Sequence, residues 1–342
     1  MKQRSFFWHW TFLFVLLLLG FFLSICLGSV PIPFKQVIVV LSGQSPGQSA
    51  WDEIIINYRL SKSFTALLAG AALSLAGLQL QTLFRNPLAE PYVLGISAGA
   101  GLGVAFFVLG AAVVDLELDR YQWLYDAGIA LPALSGAVAV LILILWLSHF
   151  IRQDATLLVI GLMVGYAAGA LINLLTFFSE AERIQSFLLW TFGSFGGTSW
   201  QQLPVFAGLV LLGLGLTFFH AKSLNALQMG EIYARSLGVE VKRVRNILIV
   251  SAALLSAAVT AFCGPIAFIG FAVPHLCRSF FRTADHRQLI PAVLVCGSAV
   301  ALFADIVAQL PGNAKILPLN SITALLGAPL IIWVLLKKKY HA

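Results

Sequence analysis

In this chain of 342 residues, 60% are apolar and 10% charged, a balance that excludes a water-soluble domain and describes a polytopic membrane protein. The formal net charge of +7 invites a nucleic-acid reading, but its distribution decides against one. If the N-terminus is cytoplasmic and ten spans alternate, 15 of the 21 basic residues fall on inner segments, which is the positive-inside bias of a membrane protein with both termini cytoplasmic.

Apolar runs long enough to cross a bilayer, about 20 residues each, lie near 10–29, 59–83, 92–114, 126–150, 156–178, 200–220, 245–263, 265–281, 289–310 and 317–336. The predicted class is therefore an all-α integral membrane protein of ten transmembrane helices. Residues 1–342 form one permease-like domain. The eighth span is short because Gly264 and Pro265 interrupt it. The start, KQRSFFWHW before an apolar run, lacks a small-x-small cleavage site and reads as an uncleaved first helix. Cys26, Cys263, Cys277 and Cys296 show no CxxC spacing, so they read as small packing residues rather than a disulfide or metal framework.

Residues 29–58, rich in Pro, Gly, Ser and Gln, should connect the first two spans outside. Arg59 and Lys62 then stand at the outer mouth of the second span, against the positive-inside trend. Two readings are open: snorkelling to lipid headgroups, or contact with an acidic protein docking from outside. In QLQTLFRNPLAEPYVLGISAGAGLG, Pro87 and Pro91 break the backbone, and irregular backbone at membrane depth requires cover by protein or a water-filled cavity. GISAGAGLG has no preceding strand and no following GKS or GKT, so close helix packing is preferred to nucleotide binding.

An acidic loop with Asp115, Glu117, Asp119 and Asp126 should face outside, and the turn Arg152 to Thr156 should lie inside. In the fifth span Gly161, Gly165, Gly169 and Asn173 fall four apart on one face. Such a face meets either another helix or an aqueous path, with Asn173 as the polar member. Outside again, SEAERIQSFLLWT predicts a short surface helix and Gly193 to Gly197 a turn. The longest polar passage runs from Leu224 to Arg245. Ala226, Met229 with Gly230, Tyr233 and Leu237 recur there at helical spacing, with Gly238 placed to end the pattern. It is either an interfacial helix or a knob for a cytoplasmic partner.

Beyond it, Gly264-Pro265 should reverse the chain at the outer face, and Pro274-His275 should kink the inward helix. A lone His275 points to a structural role rather than to a metal site. Asp305, four residues before Gln309, is the most nearly buried acid; it is either functional, as intramembrane carboxylates usually are, or paired with Gln309. Lys337 to Lys339 anchor the last span inside.

Taken in order, RLSK (Arg59 to Lys62), RNPLAEP (Arg85 to Pro91), LGISAGAGLG (Leu94 to Gly103), FGSFGG (Phe192 to Gly197), GEIYARSLGV (Gly230 to Val239), GPIAFIGFAVPHLCR (Gly264 to Arg278), ADHR (Ala284 to Arg287) and LPLNSITALLGAP (Leu317 to Pro329) resemble the permease family of type II ABC importers for iron chelates, haem and cobalamin. The resemblance runs from Arg59 almost to the end.

It implies the type II ABC importer permease fold and a multi-pass protein of the bacterial inner membrane. The implied partners are a second permease, most simply in a homodimer, two ATP-binding-cassette ATPases and a soluble substrate-binding protein. It places ATPase coupling on the 224–245 loop at Ala226, Leu227, Gly230, Glu231, Tyr233, Ala234, Arg235, Leu237 and Gly238. Docking of the binding protein falls to Arg59 and Lys62, with Lys315 as a substitute for the arginine usual at the position of Gln309. The path falls to Gly161, Gly165, Gly169 and Asn173, and an inner gate to Asp154, Ala155 and Thr156. No metal, cofactor or catalytic residue is implied on this chain, and ATP with Mg belongs to the ATPase. The expected cargo is an iron-siderophore chelate, with cobalamin or haem as the alternative. The rival from another class, an ion-coupled secondary transporter, would need several buried charges, and Asp305 is the one acid that qualifies.

Overall fold

The computed structural model describes residues 2–43, 49–110, 128–151, 154–309 and 316–339, and they contain helices and no strand. The helices are α1 (Lys2–Cys26), α2 (Phe34–Leu41), α3 (Ser49–Asp52), a π-helical stretch (Glu53–Leu60) that runs on into α4 (Ser61–Leu83), and a 3-10 turn (Pro91–Leu94) before α5 (Ile96–Val108). There follow α6 (Ala130–Ser148), α7 (Asp154–Phe177), α8 (Ala181–Thr191), α9 (Leu203–Phe219), α10 (Ala221–Gln228) and α11 (Glu231–Ser236). The last four are α12 (Val241–Cys263), α13 (Ile269–Phe281), α14 (His286–Ala308) and α15 (Leu319–Lys339).

Helix α4 is the axis of the fold. Phe64, Leu67 and Leu68 are the residues of this 23-residue helix that are not buried, because α14, α12, α13 and α9 all pack around it. Lipid supplies no hydrophobic drive between helices, so close backbone approach and hydrogen bonds must do the work. The sequence provides both. A side chain on Gly70 would overlap the Gly297 carbonyl of α14, and one on Gly77 would overlap the Gly270 carbonyl of α13. Between them the Ser74 hydroxyl lies 2.9 Å from the Val293 carbonyl of α14. Farther along, Gln79 bonds to Thr217 of α9 and, at 3.2 Å, to Ser251 of α12. The stretch LGISAGAGLG is likewise a packing surface, since Gly99 and Gly103 of α5 abut Gly136 and Pro132 of α6.

Ten apolar helices stand where ten spans were expected, but they are not ten full spans. Six described helices are long and apolar enough to cross a membrane, or seven if α9 and α10, bent by 58°, count as one. Helices α5 and α13 have 13 residues each, about 20 Å at 1.5 Å per residue, against a hydrocarbon core of about 30 Å. The chain covers the missing depth without a helix. The reversal at Gly264 was foreseen, but α13 does not begin there: residues 264–268 run extended from the Cys263 end of α12 down to Gly270, beside Gly77 of α4. Such backbone is tolerated in a bilayer only under protein cover. Asn320 of α15 supplies part of it, its side-chain oxygen accepting from the Ala267 N–H at 3.2 Å. Residues 84–95 do the same for α5, and Glu90 there accepts from the backbone N–H of Phe268. The two half-helices thus start near one another at mid-depth.

Candidate coupling and translocation sites

The polar passage folds as a helical hairpin, α10 and α11, hinged at Gly230, whose φ of +114° suits glycine alone. Leu224, Ala226 and Leu227 of α10 and Ala234 of α11 are buried, and they seat the hairpin against α4 and α14. The opposite side is apolar as well and has no cover: Ile232 is 88% exposed, and Met229, Leu237 and Tyr233 are also open. Of the coupling residues expected from sequence, Ala226, Leu227 and Ala234 therefore face inward, whereas Tyr233, Leu237, Arg235 and Gly238 lie on the open side. Gly230 and Glu231 are half-buried, Glu231 pairing with Arg235 at 3.6 Å. Ile232 was missed because the stripe was drawn as one helix; the break at Gly230 rotates α11, and residue 232 then points out. Nor does the hairpin run on into α12, since Gly238 at φ +80° breaks the chain before Val241.

The hairpin is tied to the bundle by polar contacts. Asn225 of α10 donates from Nδ2 to Asp285 Oδ1 at 2.7 Å, and its Oδ1 accepts from the His286 backbone N–H at 2.8 Å and from His286 Nδ1 at 2.7 Å. Asp285 in turn caps α14, accepting from the Arg287 N–H at 3.0 Å. These two bonds hold the Asp285 carboxyl below the ordinary carboxylate range, the Arg287 N–H contributing most and the Asn225 amide next.

At the far end of α4 the charges are turned inward. Arg59, 2% exposed, donates to the carbonyls of Ile25 and Cys26 at the end of α1, at 3.0 and 2.8 Å, and also to Val30. It satisfies acceptors that a helix terminus leaves open. Lys62, equally buried, forms an ion pair with Asp305 at 2.8 Å, and Gln309 donates to the same carboxylate at 2.9 Å. Arg59 and Lys62, expected to meet a protein from outside, are thus occupied within the subunit, and the snorkelling alternative fails for the same reason. Asp305 takes both of its expected parts, buried acid and partner of Gln309. Lys315 and the acidic cluster Asp115, Glu117, Asp119 and Asp126 lie outside the described residues.

The glycine face of α7 divides. A side chain on Gly161 would come within 2.6 Å of the Val93 carbonyl, and Gly165 sits beside Ala98 of α5. Nothing stands within 4 Å of the corresponding point on Gly169, and Asn173 is exposed. Helix packing accounts for the first pair, whereas Gly169 and Asn173 front open space. At the start of α7, Thr156 is exposed; Asp154 and Ala155 belong to the helix, and their side chains lie outside the described residues. His275 lies 3.1 Å from the Pro87 carbonyl, and Arg278 donates to Gln81 Oε1 at 2.6 Å, so both serve the packing of α13. Among the described residues no group of three or more metal-ligating side chains converges.

Set against known proteins, residues 16–337 match the profile of the FecCD transport family. The chain belongs to that family. Its relatives include the vitamin B12 import system permease protein BtuC of Klebsiella pneumoniae subsp. pneumoniae, 36% identical over 336 residues, or 97% of this chain and 94% of the relative. The BtuC protein of Escherichia coli O157:H7 is 35% identical over 326 residues, 94% and 93% of the two chains. Among solved structures, a transporter assigned to the metal-chelate ABC type, in an inward-facing conformation, superposes with a TM-score of 0.80 at 28% identity, covering 95% of this chain and 97% of that one. PsaBC from Streptococcus pneumoniae shares the fold at a TM-score of 0.51 and 15% identity, over 80% of this chain and 89% of that one. This FecCD protein is a permease subunit of an ABC importer and a multi-pass protein of the inner membrane. Membership implies an ATPase, a substrate-binding protein and a second permease as partners.

Proposed function

We propose that the chain forms, as a homodimer, the path of an importer for a metal chelate, driven by two ATPase subunits that grip the α10–α11 hairpin. The observation that carries this reading is the exposed cluster of Met229, Ile232, Tyr233 and Leu237 on the longest polar passage of the chain. Contiguous apolar side chains outside the bilayer mark a protein contact. The hairpin end is cytoplasmic, with both termini on that side, in keeping with the positive-inside rule. ATP and Mg act on the ATPase, and this chain binds no cofactor.

Cargo handed over by a soluble binding protein enters at the opposite end and passes along α7, where Gly169 and Asn173 front open space. Asp154, Ala155 and Thr156, at the start of that helix, close the path on the cytoplasmic side. ATP-driven closure of the motor moves the two hairpins and, through them, the helices around the path. Docking of the binding protein centres on Lys315, since Arg59 and Lys62 are engaged inside. An iron-siderophore chelate is the first reading of the cargo. A cobalamin is the second, favoured by the vitamin B12 permeases among the relatives.

The test is co-purification of the ATPase with Ile232→Asp and Leu237→Asp permeases. Loss of the ATPase from an inserted, folded permease supports the reading, and full retention by both overturns it. Uptake of a radio-iron ferric hydroxamate against radiocobalt cyanocobalamin, in proteoliposomes with the binding protein, decides the cargo.

A further inference from the structure

The bonds from Asn225 lead beyond the hairpin. His286 Nδ1 faces Asn225 Oδ1, which can only accept, so the ring proton on that side is fixed on Nδ1. The other nitrogen, Nε2, lies 2.8 Å from the hydroxyl of Thr82 in the last turn of α4. His286 is fully buried. One unbroken chain of polar contacts therefore runs from α10 through the first residue of α14 to the inner end of the central helix. Asp285 fixes the Asn225 amide in one orientation, because a carboxylate accepts and does not donate.

We infer that Asn225, Asp285, His286 and Thr82 act as a transmission clamp, passing movement of the motor-gripped hairpin to α14 and α4 together. The proposal rests on the hairpin being the ATPase contact. Apolar seating alone, through Leu224, Ala226 and Leu227, allows α10 to slide or roll, because dispersion contacts carry little direction. Four directed bonds on one amide and one imidazole do not. The same hairpin has no continuous helical link to α12, where Gly238 intervenes, so α14 and α4 are the route by which force enters the bundle. These are positioning residues: none faces the open surface of α7.

A donor–acceptor exchange tests the clamp. Asn225→Asp sets two carboxylates against each other where a 2.7 Å bond stood, whereas Asn225→Asp with Asp285→Asn restores every bond with one reversed. Each permease is reconstituted with its ATPase and binding protein, and three quantities are read: ATPase retained, ATP hydrolysed, and uptake of whichever probe the wild type accepts, radio-iron ferric hydroxamate or radiocobalt cyanocobalamin. The single variant should retain the ATPase and hydrolyse ATP, with uptake per ATP lowered about tenfold, and the exchange should return it to within about twofold of wild type. Thr82→Val, which leaves Asn225 and Asp285 untouched, should lower uptake per ATP about threefold and serves if Asn225→Asp does not fold. Wild-type uptake per ATP in Asn225→Asp or in Thr82→Val overturns the clamp, as does an exchange variant that binds ATPase and stays uncoupled. An ATPase that never associates with the wild-type permease is a different failure, that of the hairpin reading itself.

Discussion

Replacing Lys62 by methionine removes one charge from the pair it forms with Asp305. The ions lie 2.8 Å apart with side chains 2% and 7% exposed, so Coulomb attraction at an effective dielectric constant of about 20 is about 6 kcal/mol, most of it offset by desolvation. Removing one member of a buried pair costs about 3–5 kcal/mol, because the other charge is left uncompensated. Gln309 still donates to Asp305, which places Lys62→Met near the lower end, about 3 kcal/mol. That lowers the ratio of folded to unfolded protein by more than about a hundredfold. Lys62→Met with Asp305→Leu should recover to within about 1 kcal/mol of wild type, since a well-packed apolar pair replaces buried ions at little cost. A double-mutant cycle on the purified permease, by denaturant or thermal unfolding in detergent, measures the coupling. Wild-type stability in Lys62→Met, together with a salt-sensitive loss of binding-protein affinity, would refute the inward role and return this lysine to the docking surface.

Arg59→Leu should destabilise the permease by about 1–3 kcal/mol by leaving buried carbonyls at the end of α1 unpaired, with the loss unchanged between low and high salt in the same unfolding assay. Gly77→Val should prevent accumulation of folded permease, since its side chain would strike the Gly270 backbone, whereas Gly169→Val, with open space before it, should fold normally and slow uptake; size-exclusion profiles and transport rates separate the two. The depressed Asp285 carboxyl predicts a pH dependence. With its folded pKa below the unfolded value of about 3.9, its stabilisation is present above that pH and is lost as pH falls through the folded value. The difference in Tm between wild type and Asp285→Ala should therefore be constant near neutrality and close in stronger acid.

Much of the scaffold was readable from the order of residues because membrane spans announce themselves by length and apolarity. All ten helices fall close to their expected places, including the surface helix α8 and the break around Pro87 to Pro91. Depth was not readable. Apolar composition is the same whether residues 264–268 are helical or extended, so α13 looked like a marginal span rather than half of one. The charges at the far end misled for a related reason. Position near a predicted helix mouth says which end a side chain occupies, but only packing shows whether it points out, and Asp305 lies far from Lys62 in sequence. The hairpin was placed correctly and its face was not, because a single φ at Gly230 reorients everything after it. The clamp was invisible for the plainest reason: Asn225, His286 and Thr82 come from three distant segments, and no local spacing joins them.

The extended stretch before α13 has a mechanical consequence. In a helix, shortening the chain by one residue moves the end about 1.5 Å and swings it through roughly 100°; in extended backbone the same deletion draws the end along by about 3.3 Å with its two faces merely exchanged. Residues 264–268 therefore hang α13 from α12 on a cord rather than a rod. Lift and twist are uncoupled there, so α13 can rise or sink against Gly77 without turning its polar edge, Gln81's partner Arg278 included, toward the lipid.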